Sequence, residues 1–180
     1  MSTRFSIKTW RQLAQTLLIC TLLGAATAHG AEGSGQSTPE VTAKDLDRIF
    51  RQDTLQIATP DARLHTFKSW IADDDQRRQR GLMFIRQLRP DDSMLFIYPQ
   101  PMPVAMWMKN TYVPLDMLFV AADGKVIKVV QNTEPLSLKT IESGGIVLGV
   151  VELPAGTAAR LNIAAGARVI HSALSAPQPK

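Results

Sequence analysis

Apolar residues fall in short runs separated by turn-forming residues, and most of the runs are rich in β-branched and aromatic side chains. "TLQIAT" (54–59) and "LHTFKSWIA" (64–72) flank the turn "PDAR", which predicts a hairpin. "SMLFIY" (93–98) predicts the next strand, and the three prolines of "PQPMP" (99–103) predict that regular structure stops there. "LDMLFVAADGKVIKVVQN" (115–132) is two β-rich runs joined by Asp123-Gly124, a pair that tolerates the positive φ angles of a tight hairpin turn. "GGIVLGVVEL" (144–153) predicts a further buried strand and "GARVIHSAL" (166–174) the closing one.

Helical signals are short. Val41, Leu46, Ile49 and Phe50 recur at helical spacing, with Ser37 or Thr38 ahead of Pro39. Asp73 or Asp74 can cap "DQRRQR" (75–80), which Gly81 would close, and "TAARLNI" (157–163) predicts one or two further turns. No long helix of the kind a parallel crossover uses separates the strands. The expected fold class is therefore mainly β, a β-rich α+β domain: a largely antiparallel, barrel-like curled sheet with two or three short helices.

The N-terminus carries a different pattern. Arg4, Lys8 and Arg11 precede an apolar run from Leu13 to Ala25, which ends in Ala26-Thr27-Ala28. That is a secretory signal peptide with a cleavage site after Ala28, and it predicts export to the periplasm or beyond. The run is short for a membrane span and a polar Gly/Ser stretch follows it, so the mature protein is not expected to be membrane-embedded. The expected plan is a signal over 1–28, a linker with a short amphipathic helix over 29–52, one β-rich domain over 53–172, and a disordered tail over 173–180.

Charge and cysteine usage narrow the chemistry. The lone Cys20 lies within the signal, after Ile19 where a lipoprotein signal wants a small residue, so neither a lipid anchor nor thiol chemistry is predicted. Removing the signal's three cations from the 20 in the chain leaves 17 against 16 acids, a net +1, which gives no argument for nucleic acid.

Five blocks in fixed order carry a resemblance: "RGLM" after an acid-capped short helix, "MLF", "WMKNTYVPLDMLFV", "DGKVI" and "VVELPAG" before a Gly-rich final strand. Over residues 53 to 172 the chain resembles the uncharacterised family catalogued as domain of unknown function 192. The resemblance implies a compact, mostly β, barrel-like domain with small helices, and it implies no activity. Two positions depart from the family pattern. Ser93 stands where glycine is usual before "MLF", and Ala167 follows Gly166 where aspartate is usual.

Candidate chemistry concentrates in "AMWMKNTYVPLDMLFV" (105–120). Alternation along a strand puts Met106 and Met108 on one face and Trp107 and Lys109 on the other. If the second face is buried, Lys109 needs a carboxylate, with Asp116 and Glu152 available; if exposed, Trp107 is an aromatic platform beside Lys109, Asn110 and Thr111. Alternatively Asn110, Thr111 and Asp116 only satisfy backbone around a proline-containing turn.

Arg77, Arg78 and Arg80 read either as a solvated helix face or, for Arg80, as an anion clamp. The leading expectation is a non-enzymatic domain binding an unknown small ligand or protein, with a pocket edged by Arg80, Trp107, Lys109, Asn110, Thr111 and Asp116. A small hydrolase or lyase with Asp116 as general base beside Lys109 is the alternative, Glu134 or Glu152 being possible second carboxylates. Serine-elbow and paired-histidine motifs are lacking. A third reading takes Met102, Met106 and Met108 as soft thioether ligands for copper. No cofactor is predicted.

Overall fold

The computed structural model describes residues 42–174, so the signal segment, Pro39 and residues 175–180 lie outside the described residues, while Ala173 and Leu174, expected in the tail, belong to the folded body, with Leu174 buried. Seven strands are present: β1 Arg51–Ala58, β2 Leu64–Ala72, β3 Asp92–Met106, β4 Leu115–Val120, β5 Val126–Val130, β6 Ile141–Pro154 and β7 Arg168–Ile170. Three short helices accompany them, α1 Ala43–Ile49, α2 Asp75–Arg80 and α3 Thr157–Arg160, with a 3-10 turn at Ser172–Leu174.

The strands form one mixed sheet in the order β5-β4-β6-β3-β2-β1-β7. All neighbours are antiparallel except β2 and β3, which run parallel from Lys68 opposite Asp92 to Ala72 opposite Phe96. The largely antiparallel expectation is met with this one exception. Residues 73–91 make the crossover, and the six-residue α2 plus irregular chain suffices for it, without the long helix such connections generally use.

The sheet curls until its two edges nearly meet. Val126 N–H donates to the Ala167 carbonyl and Val169 N–H to the Gly124 carbonyl, each at 2.8 Å, which ties the start of β5 to β7. Side chains from all seven strands, among them Ile57, Phe67, Leu95, Leu118, Val126, Leu153 and Val169, fill the interior of this nearly closed barrel. The opposite face is covered by a second cluster, in which Leu46 and Phe50 of the α1 segment pack with Trp70, Phe96, Met117 and Val150. β4 is consequently buried along its whole length. The segment expected as linker thus joins the folded body from α1 onward, and Asp47 Oδ1 secures it by accepting the Trp70 indole N–H at 2.8 Å.

The proline-rich stretch corrects the sequence expectation. β3 continues through residues 99–103. Pairing with β6 is interrupted between Ile97 and Met102 and shifts again between Pro103 and Ala105. Proline's fixed φ suits extended backbone; Pro99 and Pro101 fall in the unpaired stretch, where a missing N–H costs no ladder bond, and Pro103 sits opposite Ile146 at the edge of the second register shift.

Local signals appear where expected elsewhere. Asp74 caps α2 by accepting the Arg77 N–H at 2.7 Å, and Gly81 ends it at a φ of +44°. Gly124 turns the β4–β5 hairpin at a φ of +82°.

A cleft between α2 and the end of β3

α2 and the chain that leaves β3 face each other across a cavity of about 550 Å³. Asp74, Arg77 and Arg80 supply one wall, and Trp107, Lys109 and Asn110 the other. Ile49 at the end of α1 adds an apolar edge, and its carbonyl accepts the Arg77 Nε–H at 3.1 Å.

The second wall follows from strand alternation. Met106 and Met108 turn into the core, 9% and 1% exposed, so Trp107 between them points out and is 47% exposed. Lys109 shares its side, and its ammonium lies 5.2 Å from the Trp107 ring centroid, a cation–π contact. Asn110 then reverses the chain at a φ of +56°, a conformation asparagine tolerates, and its carbonyl accepts the Phe84 N–H at 2.8 Å. Thr111 is buried and donates to the Lys109 carbonyl at 3.3 Å.

The charges of the two walls are treated differently. Arg77 is spent on Asp73 and Asp74 at 3.2 and 2.6 Å. Arg80 leans on the Phe84 ring at 5.1 Å and donates to the Met83 carbonyl, and partial burial lowers its guanidinium from the ordinary value without neutralising it. Among the described residues neither Arg80 nor Lys109 has a carboxylate partner.

A narrower recess of about 100 Å³ opens from the same residues, since Arg80, Met83, Trp107 and Lys109 line both spaces. Arg78, Tyr98, Thr111 and the buried Glu152 complete it. Tyr98 donates its hydroxyl to the Met106 sulfur at 3.5 Å, and burial pushes its own pKa up to about 12.

Of the residues singled out in the sequence, Arg80, Trp107, Lys109, Asn110 and Thr111 border these spaces, whereas Asp116 does not. Asp116 is wholly buried, and its two oxygens accept the Asn132 N–H at 2.9 Å and the Ala158 N–H at 2.8 Å. It joins the end of β5 to the first turn of α3. It is no counter-ion to Lys109, because Asp116 and the cleft lie on opposite faces of the sheet.

The methionines divide as well. Met102 is 40% exposed, the Met106 sulfur receives the Tyr98 hydroxyl, and the buried Met108 sulfur receives the Thr133 hydroxyl at 3.2 Å. Among the described residues no cluster of three or more His, Cys, Asp or Glu is placed to hold a metal ion.

The DUF192 family model, described as an uncharacterized ACR, matches residues 56–171. The chain belongs to the DUF192 family. Two solved structures agree with that placement. One, from Sinorhizobium meliloti 1021, is named as a candidate transcription regulator; it is 40% identical over 69% of this chain and 96% of its own, with a TM-score of 0.68. The other, a protein of unknown function from Novosphingobium aromaticivorans DSM 12444, is 30% identical over 68% of this chain and 86% of its own, with a TM-score of 0.66. No curated protein matches the chain.

Both departures from the DUF192 pattern lie away from the cleft. Ser93 is buried and donates to the Lys68 carbonyl at 3.1 Å, while Ala167 packs into the barrel interior at the seam between β5 and β7. What sequence reasoning underweighted in this DUF192 chain is the recess. Glu152 entered it as a counter-ion candidate for Lys109 or a second carboxylate beside Asp116, and Tyr98 not at all. The signal for Glu152 was present, a lone acid inside the apolar run "GVVELP".

A second cavity of about 590 Å³ lies between α1 and the chain before β3, and its charged groups other than Lys44 are paired. Lys68 meets Asp47 at 3.5 Å, and Arg89 holds the buried Asp92 at 2.9 Å. What sets the cleft beside α2 apart is an exposed aromatic face, Trp107, next to two cations that no carboxylate among the described residues pairs with.

Proposed function

We propose that this protein is an exported accessory domain, working in the periplasm or outside the cell, that binds a small organic anion in the cleft beside α2. One observation carries the reading: Trp107 stands half exposed at the cavity mouth, with two cations beside it, Lys109 and Arg80, that no carboxylate among the described residues neutralises. An aromatic face takes up the flat or C–H-rich side of a ligand, and unpaired cations take up its charge. Export rests on the N-terminal segment, whose cations, apolar run and Ala-Thr-Ala triplet have the composition of a cleaved signal. Among the described residues no helix is long and apolar enough to cross a membrane.

The hydrolase reading is weaker, because the Asp116 carboxylate is occupied by two backbone N–H groups away from Lys109. The name carried by the Sinorhizobium protein finds little to transfer, since α1, α2 and α3 span seven, six and four residues and none resembles a groove-reading helix.

Calorimetric titration with organic anions tests the proposal. Wild-type protein should bind an aromatic sulfonate such as naphthalene-2-sulfonate. Trp107→Ala should weaken that binding about tenfold or more, the scale of one lost stacking contact, with the melting temperature unchanged. Equal affinity in the two proteins would sink the reading.

A further inference from the structure

Three carboxyl side chains are buried among the described residues, and they fare differently. Asp92 is held by the Arg89 guanidinium and backbone N–H, and Asp116 by two backbone N–H groups. Glu152 is 4% exposed and lines the recess, yet no hydrogen bond or ion pair engages its carboxyl. A buried polar group without a partner is costly, and a site that keeps one invites a ligand to supply the bond.

The titratable groups that share the recess with Glu152 come from three elements around it. α2 contributes Arg78 and Arg80, β3 contributes Tyr98, and the turn after β3 contributes Lys109. In the sheet its flanking partners are the apolar Met94 and Met117. Arg78 is committed: it donates to the Ile97 carbonyl at 2.7 Å, meets Asp75 at 2.5 Å and lies over the Tyr98 ring at 5.5 Å. The Tyr98 hydroxyl goes to Met106. That leaves Arg80 and Lys109 as the recess cations with no carboxylate partner among the described residues, and Glu152 as its acid with no partner.

We propose that Glu152 is a ligand-binding residue whose carboxyl donates a hydrogen bond to an oxyanion, a carboxylate, sulfonate or phosphate group, while Arg80 and Lys109 neutralise that group's charge. The inference rests on the binding function proposed above and adds to it the chemical class of the group that enters the recess. Burial supports the donor role, because it pushes the Glu152 pKa up to about 8, so the carboxyl is protonated at neutral pH. Above that value the ionised carboxylate would offer no donor and would repel the ligand. Binding should therefore be proton-linked, with the bound anion holding the proton on Glu152.

The test is a calorimetric titration of the protein with naphthalene-2-sulfonate from pH 6 to 9.5. The sulfonate stays ionised throughout, so any pH dependence belongs to the protein. Wild-type affinity should be level below pH 7 and fall above pH 8, approaching about tenfold per pH unit. Glu152→Gln keeps an N–H donor of the same shape, so it should bind at pH 7 within about threefold of wild type and lose the alkaline fall. Undiminished wild-type affinity at pH 9.5 overturns the inference while leaving the binding function standing, and so does the same alkaline fall in Glu152→Gln. Absence of binding at every pH overturns both. A ¹³C NMR titration of the ligand-free protein reads the acid directly: a Glu152 carboxyl signal with its midpoint near 8 supports the donor role, and one near 4.5 overturns it.

Discussion

Asp116 of β4 and Glu152 of β6 sit one register step apart on neighbouring antiparallel strands, with Asp116 opposite Leu153 and Met117 opposite Glu152, so their carboxyls emerge on opposite faces of the sheet. One acid faces backbone donors at the barrel end and is satisfied. The other faces the cleft and is not. Side-chain alternation on a sheet separates the two roles, which no property of the residues themselves would do.

Asp116→Asn should be a stability variant with no effect on the cleft. The amide can accept one N–H but presents a donor to the other, and a buried donor left without an acceptor costs about 1–3 kcal/mol. Thermal unfolding should show a melting temperature lower by several degrees, on the order of 3–10 °C. Anion affinity should be unchanged; a loss of binding in a well-folded Asp116→Asn protein would return Asp116 to the site.

Glu152 and His171 give stability a distinctive pH profile. Burial raises the Glu152 pKa from 4.5 to about 8, so the folded state holds a proton that the unfolded chain releases. Its contribution is complete below pH 4.5, declines as pH rises and is gone above about 8, with a slope approaching about 1.4 kcal/mol per pH unit. His171 acts in the opposite sense. Burial lowers its pKa from 6.5 despite Asp53 at 3.4 Å, so its contribution is present above pH 6.5 and is lost as pH falls through the lowered value. The decline from pH 7 to 8 therefore belongs to Glu152. Urea unfolding across that interval should show it in the wild type and show it flattened in Glu152→Gln.

Gly124→Ala tests the barrel seam. A Cβ there would sit 2.5 Å from the Val169 carbonyl oxygen, at a backbone φ of +82° that L-residues rarely adopt. Because that carbonyl belongs to the strand that closes the sheet, the seam must open or the turn must strain. The expected loss exceeds the ~1 kcal/mol of an ordinary positive-φ substitution. A variant as stable as wild type in denaturant unfolding would show that the seam contributes little.

Lys109→Gln should weaken anion binding by about fivefold in dilute buffer, the equivalent of ~1 kcal/mol for a partly exposed charge. The difference from wild type should shrink at 1 M salt, where the screening length falls to about 3 Å. Calorimetry at the two salt concentrations checks this, and a deficit that salt leaves unchanged would mean that Lys109 acts by packing on Trp107 and not by charge.

What the sequence determined by itself was everything set by neighbours along the chain. Asp74 caps α2 and Gly81 ends it because those geometries span a few residues. Asp123-Gly124 turns a hairpin for the same reason, and alternation alone put Trp107 and Lys109 opposite Met106 and Met108. The tertiary structure decided whatever depends on distant partners. The parallel pairing of β2 with β3 and the passage of β3 through three prolines both depend on which strand lies alongside. The fate of the acids does too. Asp116 finds its donors 16 and 42 residues away, whereas strand register leaves Glu152 facing a cleft in which no donor meets it, and that difference exists only once the sheet has curled.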